Sequence, residues 1–353
     1  MTNPLVSICV PTRNRASSLA ASLQNIREQT YAPLHILISD NASEDGTEAL
    51  CRELASQDSR IRYVRHPTDI GLHRNHNFCL DEAEGEFVCI CHDHDVRDTR
   101  IVSRYVAFLG QHPDVGVVCS DWVLIDDTGS TIGIRDHAVP PVTAGLDYIT
   151  RTMRSGRSSV AIPGAMIRRS ALGSARFIDD APIGFGDFPV WFRLAERAAI
   201  GHIRERLWSW RQNQESHSAR TIEGIAGDYQ YNLERYCSEH LERWPDHTAI
   251  VATWKTSIRR FLFWALAYEV ALHFRRPLPR DAAAPRTLFE IMDYRLSPEQ
   301  FAHALAQMKR LRTAPSEYAA FGAMQLLIGL GLMWPLTWMT RHQSTLRRVM
   351  KLR

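Results

Sequence analysis

Two acidic residues, Asp93 and Asp95, directly follow the apolar run Phe87–Cys91. Such a run, bounded by polar residues, is typical of a buried strand in a parallel sheet, and open α/β sheets bind ligands beyond the carboxyl ends of their strands. Mg²⁺ takes one or two protein carboxylates and completes its shell with phosphate oxygens and water. The pair therefore predicts a site for a divalent cation and a diphosphate, although an acidic turn after a strand would contain the same residues.

The elements that would position these carboxylates alternate along the chain. Apolar strands are predicted at 5–10, 34–39, 61–64, 87–91 and 115–120. Helices are predicted between them at 16–29, 45–57, 72–83 and 98–110. This alternation indicates βαβ units and an α/β fold with a mostly parallel sheet. Polar loops then follow the strand ends, at 11–14, 40–47, 71–77 and 92–95.

The order of these loops resembles the inverting glycosyltransferases of family 2. Asp40–Thr47 is similar to the family's Asp-(Asn/Gly)-x-Ser-x-Asp-Gly-Thr segment. Gly71 with Asn77, followed by Gly85–Val88, resembles its Gly…Asn…Gly-Glu-Tyr-(Ile/Val) run. The resemblance covers residues 5–215 and implies the GT-A fold, a Rossmann-like, mostly parallel sheet flanked by helices.

The resemblance also implies a nucleoside-diphosphate sugar donor and a Mn²⁺ or Mg²⁺ cofactor. The implied donor-binding residues are Pro11, Thr12, Asn14, Asp40, Asn41, Asn77 and Asp93. Asp40 is expected to accept hydrogen bonds from the base, and Asn77 to lie near the phosphates or ribose. Asp93 and Asp95 match the family's Asp-x-Asp motif, which implies that Asp95 binds the metal and that Asp93 contacts the metal or the ribose.

A catalytic base is implied further along the chain. Gly186–Leu194 resembles the family's Glu-Asp-x-x-x-x-x-Arg-Leu segment, with Gly186 where Glu is common and Asp187 at the position of the base. Inverting displacement of a nucleoside diphosphate requires the acceptor hydroxyl to lose its proton as it attacks, and a carboxylate opposite the leaving group can take it. Asp187 could alternatively stabilise the helix that follows it, because a carboxylate at a helix N-terminus is a common stabilising feature.

The metal loop departs from the common family pattern. His92 stands where most members have Asp, and His94 replaces the middle acid of the motif. With Cys91, the two histidines also raise the alternative of a zinc site. Side chains alternate between the two faces of a strand, so Cys91 and Asp93 would point away from His92 and His94 if the strand continued.

The C-terminal part differs in character from the rest of the chain. The sequence predicts a GT-A domain at 1–225 and a helical region at 226–353, which contains an apolar segment at 321–339 and a basic tail. Glycines and a proline interrupt the apolar segment, so it predicts peripheral contact with anionic lipid rather than a clean span. A buried hairpin of a soluble helical domain is the alternative. The odd number of cysteines, mostly in apolar settings, favours reduced thiols and a cytoplasmic location on the inner membrane face.

Together these features predict metal-dependent, inverting sugar transfer to a glycan or lipid-linked hydroxyl, as in surface-polysaccharide biosynthesis. Arg168 and Arg169 match a segment near the acceptor and could hold a lipid diphosphate, although a solvated pair is equally compatible. The alternatives are a degenerate scaffold that binds nucleotide or membrane without transfer and, less favoured, a sugar nucleotidyltransferase. Nucleic-acid binding is not expected, and homo-oligomerisation stays open.

Overall fold

The structure is a computed structural model that describes residues 3–177, 187–211, 222–273, 306–310 and 312. Its strands are β1 (Val6–Thr12), β2 (Leu34–Asp40), β3 (Ile61–Arg65), β4 (Phe87–Ile90), β5 (Val96–Arg97), β6 (Val115–Ile125), β7 (Thr131–Arg135), β8 (Val142–Thr143), β9 (Ala165–Arg168) and β10 (Ala199–Arg211). Its α-helices are α1 (Ala16–Arg27), α2 (Thr47–Gln57), α3 (Leu72–Asp81), α4 (Ile101–Gln111), α5 (Gly145–Ser155), α6 (Arg169–Leu172), α7 (Phe188–Ala195), α8 (Ile222–Arg243) and α9 (Thr248–His273).

The strands form one mixed sheet in the order β3-β2-β1-β4-β9-β6-β10-β5, with β7 beside β6 and β8 beside β10. β1 is parallel to β2 and β4, and β2 is parallel to β3. β9 is antiparallel to both β4 and β6, and β6 is parallel to β10. The carboxyl ends of β1–β4, β6 and β10 therefore meet at one edge, as the sequence predicts.

The core forms because the central strands are apolar on both faces. All seven residues of β1 are buried, as expected for a strand covered by helices on both sides of a sheet. Helix α1 buries Leu19, Leu23 and Ile26 along one stripe, the spacing of an amphipathic helix. At the turn before β4, a Cβ on Gly85 would lie 2.6 Å from the backbone nitrogen of Ser7, so only glycine allows this approach.

The described residues pack as two compact units. The first contains the sheet. The second contains residues 150–157 with α8 and α9, and its core includes Tyr236, Trp254 and Ile258. Gly156 has a φ of +64°, and a Cβ there would overlap the ring of Phe261. Helix α8 begins close to the predicted boundary at 225/226, and that division stays a prediction.

Two further expectations concern thiols and membranes. The seven cysteines are all buried and unpaired, in agreement with the prediction of reduced thiols. Of the helices that the structure describes, none combines the length and hydropathy that crossing a membrane requires. The apolar segment 321–339 and the basic tail lie outside the described residues.

Candidate functional site

The end of β1 and the loop after β4 meet through Asp93. The hydroxyl of Thr12, the last residue of β1, donates a 2.7 Å hydrogen bond to Oδ2 of Asp93. The other oxygen, Oδ1, lies 3.0 Å from Nδ1 of His94. Both carboxylate oxygens of this buried residue are thus engaged by protein groups. Because Nδ1 of His94 faces Asp93, Nε2 is the nitrogen left to face Asp95, whose Oδ1 is 3.8 Å away.

One carboxylate oxygen of the buried Asp95 lacks a hydrogen-bond partner. Its Oδ1 accepts the backbone N–H of Arg211 at 3.0 Å. Its Oδ2 lies 3.3 Å from Nδ1 of His92, within ion-pair distance, yet both buried atoms lack a partner with hydrogen-bond geometry. Buried polar atoms without partners are rare and costly, so a cation between them would satisfy both.

His92, His94 and Asp95, which we name the loop cluster, could hold a divalent metal. Each offers one ligand atom, and these atoms lie within 4.8 Å of one another. The two rings are stacked with centroids 5.5 Å apart. Cys91 is not part of this group, in agreement with the expectation that it points elsewhere. His92 and His94 lie together, as strand alternation would also place them. Asp95 joins them because β4 ends at Ile90 and alternation no longer applies after it.

The charges within the loop cluster support one another. Burial raises the pKa of Asp95, but the hydrogen-bonding capacity and charge of His92, with the charges of His94 and Arg97, outweigh it and lower the net pKa. Burial lowers the pKa of His94, but its bond to Asp93 and the charge of Asp95 produce a net rise. The carboxylate of Asp95 therefore stays ionised and available to a cation.

Arg211, the last residue of β10, holds the loop cluster in place. Its side chain donates to the carbonyl oxygens of His94, Asp126 and Asp127, while its backbone N–H binds Asp95. The sequence did not indicate this role. An arginine at a strand end beside two polar loops is the signal that could have identified it.

The loops after β1 and β2 interlock around Asp40. Its buried carboxylate accepts the backbone N–H of Ser43 at 2.9 Å and the hydroxyl of Tyr63 at 2.7 Å. Asn14 adopts a φ of +53°, and its side-chain oxygen accepts the N–H of Glu44. Pro11 lies beside Ser39 in the β1–β2 register. The structure thus brings Pro11, Asn14 and Asp40 to the same edge as Thr12 and Asp93.

Asn41 belongs to a network that the sequence did not indicate. Its amide nitrogen donates to Oδ1 of Asp69 at 2.6 Å, and its oxygen accepts the N–H of Ile70. Asp69 also accepts the N–H of Gly71 and pairs with Arg13. An acid just before the Ile70-Gly71 pair was the available signal for this link between the loops.

Asn77 lies apart from these contacts. Its amide nitrogen donates to the carbonyl of Phe177 at 2.9 Å, and its oxygen accepts the N–H of Phe177 at 2.8 Å. The side chain therefore braces the segment after α6. A direct contact of Asn77 with a donor stays a prediction.

Asp187 precedes α7, and Gly186 lies outside the described residues. Oδ2 of Asp187 accepts the indole N–H of Trp191 at 2.9 Å. Burial raises the pKa of Asp187, and the Trp191 bond and the charge of His92 oppose this without cancelling it. The raised pKa of Asp187 suits a proton acceptor.

Arg168 corrects an expectation about the acceptor. It pairs with Phe87 at the start of β4, the opposite end of that strand from the loop cluster. Its guanidinium donates to the carbonyl oxygens of Leu109, His112 and Val115 and lies over the ring of Phe87. It therefore holds strands together and is not placed to bind an acceptor phosphate at the carboxyl edge.

Comparisons with known proteins agree with this architecture. Residues 7–173 match the family model described as Glycosyl transferase family 2. A protein of Mycobacterium tuberculosis (strain CDC 1551 / Oshkosh), MT1568, which has no assigned function, is 32% identical over 232 residues, or 62% of this chain and 70% of that one. The chain belongs to glycosyl transferase family 2. It is a glycosyltransferase, as the resemblance of its loops predicted.

A characterised relative of this glycosyltransferase comes from Campylobacter jejuni. It is the GalNAc(5)-diNAcBac-PP-undecaprenol beta-1,3-glucosyltransferase, 37% identical over 93 residues, which cover 26% of this chain and 30% of that one.

Solved structures confirm the GT-A fold of the glycosyltransferase. TarS 1-349 of S. aureus, in complex with UDP-GlcNAc, has a TM-score of 0.58 at 15% identity, covering 87% of this chain and 81% of that one. The mannosyltransferase PcManGT of Pyrobaculum calidifontis, in complex with GDP-Man and Mn²⁺, has a TM-score of 0.55 at 18% identity, covering 98% and 85%.

Proposed function

We propose that the protein transfers a sugar, with inversion, from a nucleoside-diphosphate donor to a hydroxyl of a glycan or lipid-linked acceptor, with a divalent metal as cofactor. The observation that carries this proposal is the buried, unsatisfied carboxylate of Asp95 at the carboxyl edge of the sheet. It faces two histidines and lies in the part of the fold where α/β sheets bind their ligands. The neighbour PcManGT binds GDP-Man and Mn²⁺ in its structure.

Asp95, His92 and His94 would hold the metal. When bound, such an ion neutralises charge that develops on the departing diphosphate. Imidazole nitrogens suit Mn²⁺ better than Mg²⁺, which prefers oxygen ligands, so we expect Mn²⁺ to bind more tightly. Because Thr12 and His94 engage both oxygens of Asp93, we assign Asp93 the task of orienting His94 rather than direct ligation. That arrangement is the carboxylate–histidine pair found behind many metal ligands.

Asp187 is the proposed catalytic base. The acceptor hydroxyl would lose its proton to the Asp187 carboxylate while its oxygen forms a bond to the anomeric carbon. The bond from that carbon to the diphosphate oxygen breaks on the opposite face, and the nucleoside diphosphate leaves. The Trp191 indole N–H fixes one carboxylate oxygen, and burial keeps the proton affinity of the carboxylate high.

The interlocked loops around Asp40 are the proposed donor pocket. Pro11, Thr12, Asn14, Asp40 and Asn41 line the edge beside Asp93, and the network through Asp69 fixes the loop after β2 against the start of α3. Preorganised loops of this kind lose little conformational freedom on binding, which favours affinity. Asn77 would act on this pocket through the segment that it braces.

The acceptor and the cellular setting rest on a named relative and on the cysteines. The Campylobacter jejuni relative is named for an undecaprenol-linked glycan acceptor, which supports a lipid-linked acceptor and a place in surface-polysaccharide synthesis. The buried, unpaired cysteines favour a reducing compartment. We therefore propose the cytoplasmic membrane face as its location, with peripheral contact through 321–339 and the basic tail. Flotation of the full chain with anionic vesicles, against a chain ending at residue 320, tests this contact.

Nucleotide binding provides the primary test. Titration of UDP, GDP and dTDP into the full chain, with Mn²⁺, Mg²⁺ or EDTA, should show metal-dependent binding of one nucleotide. Asp95→Asn should weaken that binding at least about 10–100-fold, as removal of metal-site groups does. The matched control is Asp98→Asn, a carboxylate just after β5 that pairs with Arg100 and should leave affinity unchanged.

Two results would contradict the proposal. Equal nucleotide affinity in Mn²⁺ and EDTA would remove the metal from the mechanism. Metal-dependent nucleotide binding without turnover on any glycan or lipid-linked acceptor would favour the scaffold alternative.

A further inference from the structure

A second group of metal-ligand residues lies in the middle of the sheet. Asp121 on β6, His202 on β10 and His137 just after β7 each offer a ligand atom, and these atoms lie within 4.8 Å of one another. We name this group the mid-sheet cluster. β6 is parallel to β10 and antiparallel to β7, so the sheet itself brings the three residues together. The loop cluster, in contrast, lies beyond the strand ends.

Three nitrogen atoms crowd one oxygen of this cluster. Oδ1 of Asp121 is 2.8 Å from the backbone nitrogen of His137, 2.9 Å from Nε2 of His202 and 3.2 Å from Nδ1 of His137. A carboxylate oxygen has two lone pairs, so it cannot accept well-formed hydrogen bonds from all three. The tautomer of each ring decides whether its nitrogen presents an N–H or a lone pair to this space, so an imidazole can offer the lone pair that a cation needs.

The spacing also matches a coordination shell. Metal–ligand bonds of about 2.0–2.1 Å in a tetrahedron separate neighbouring ligand atoms by about 3.3 Å. The two imidazole nitrogens lie 2.9 Å and 3.2 Å from Asp121 Oδ1, so each needs to move only slightly. The rings meet edge to face with centroids 5.4 Å apart.

The surroundings orient the ligands. Nδ1 of His202 lies 3.4 Å from Sγ of buried Cys119, so the far side of the ring has a partner and Nε2 faces Asp121, an arrangement typical behind metal-binding histidines. Asp121 and His202 are 5% and 3% exposed, whereas the side chain of His137 is 20% exposed. Solvent can therefore reach a fourth position beside His137.

We propose that Asp121, His137 and His202 bind a divalent transition-metal ion, for which Zn²⁺ is the best match. Two imidazoles and one carboxylate suit Zn²⁺ and its neighbours better than Mg²⁺ or Ca²⁺. The ion ties β6 and β10 to the segment after β7 and stabilises this part of the sheet. Binding of this ion requires no sugar donor, so the proposed metal site can be tested independently of the proposed transfer reaction.

The test uses the tag-free full chain carrying Asp95→Asn, which disables the loop cluster. After removal of metal by EDTA and dialysis, titration with Zn²⁺ should show one tight site, and Co²⁺ should give the visible absorption bands of a tetrahedral ion. Adding His137→Gln, at a partly exposed position that should still fold, is expected to weaken Zn²⁺ binding by about 100-fold or more. His112→Gln, at a histidine outside both clusters, is the matched control.

Circular dichroism confirms that each variant is folded before titration. Absence of a tight Zn²⁺ site in folded Asp95→Asn protein would overturn the proposal. The mid-sheet cluster would then only connect strands by hydrogen bonds. Undiminished binding after His137→Gln would place the ion elsewhere and would also overturn it. UDP, GDP and dTDP titrations of His137→Gln alone, with Mn²⁺, should match the wild-type protein, which separates this outcome from failure of the donor site.

Discussion

The loop cluster and the mid-sheet cluster each contain two histidines and one aspartate, but they differ in how many nitrogen atoms surround the aspartate oxygen. In the loop cluster a buried carboxylate oxygen of Asp95 has too few hydrogen-bond donors, whereas in the mid-sheet cluster one oxygen of Asp121 has too many neighbouring nitrogens. A cation would relieve both, by supplying a partner in the first case and by replacing an N–H in the second.

Their positions separate their roles. The loop cluster follows β4 at the edge of the sheet where the polar loops meet, so an ion there can act on a substrate bound at that edge. The mid-sheet cluster joins strands that are already paired, so an ion there stabilises the fold. Location in the sheet, rather than ligand type, distinguishes a catalytic ion from a structural one.

The largest expected effect follows from Asp187→Asn. The amide of asparagine cannot take the proton from the hydroxyl of the acceptor substrate. The turnover number for sugar transfer, measured by release of nucleoside diphosphate, should therefore fall by about 10²–10⁴-fold. Nucleotide affinity and Zn²⁺ binding should not change. A loss of nucleotide binding equal to the loss of rate would instead assign Asp187 to the donor pocket.

The next effect tests the proposed task of Asp93. In Asp93→Asn the partner that orients His94 is weakened, so Mn²⁺ affinity at the loop cluster should fall by about 10–100-fold. Electron paramagnetic resonance of bound Mn²⁺ should report weaker coupling to imidazole nitrogen. Zn²⁺ at the mid-sheet cluster serves as the internal control. Unchanged nitrogen coupling and Mn²⁺ affinity would show that Asp93 does not orient His94 toward the metal.

A smaller effect is expected on stability from Asp121→Asn. The substitution removes the charge that accepts from His137 and His202, so the free energy of unfolding of metal-free protein should fall by about 1–3 kcal/mol. Added Zn²⁺ should stabilise the wild-type protein by about 2.7 kcal/mol at a concentration 100 times its dissociation constant, but not the variant. Urea unfolding followed by circular dichroism measures both. Equal stabilisation of the two proteins would disprove a role for Asp121 as a ligand.

The smallest effect comes from a carboxylate without a metal site. Hydrogen bonds from Arg60 lower the pKa of Asp58 more than burial raises it, and the hydrogen bond from Arg27 lowers it further. A depressed folded-state pKa gives stability that is full above the unfolded value of about 3.9 and is lost as the pH falls through the folded-state pKa.

Asp58→Asn should therefore cost about 1 kcal/mol at pH 7, and the difference should shrink as the solution is acidified below about pH 4. Urea unfolding of both proteins from pH 7 down to pH 3 measures this. A difference that grows on acidification would reverse the assigned direction of the pKa shift.

The strand ends and their loops could be predicted because a parallel sheet fixes where its carboxyl ends lie. Thr12, Asp40 and Asp93 meet for that reason, although they are far apart in sequence. The partners of each oxygen could not be predicted, because hydrogen bonds depend on side-chain positions within tenths of an ångström. The sequence implied that Asp93 contacts the metal or the ribose, which stays a prediction, but it could not show that Thr12 and His94 engage its oxygens.

The positions of Arg168 and of the mid-sheet cluster could not be predicted either, because they depend on how distant strands pair. A basic pair in a sequence does not reveal which end of a strand it occupies, and the antiparallel insertion of β9 between β4 and β6 decides this for Arg168. Asp121, His137 and His202 are separated by up to 81 residues, with no spacing motif that indicates a site. Only the pairing of β6 with β7 and β10 brings them together.

The labelling rates of the seven buried thiols can report local opening of the structure. Because a thiol-reactive reagent reaches a buried cysteine only when the surrounding structure opens, its labelling rate reports the frequency of that opening. Cys237 lies in α8 of the second unit, whereas Cys119 lies in β6 beside His202. Mass spectrometry of labelled peptides would thus record separate opening rates for the two units. Slower labelling of Cys119 in the presence of Zn²⁺ would indicate that Zn²⁺, which has no visible absorption band, binds nearby.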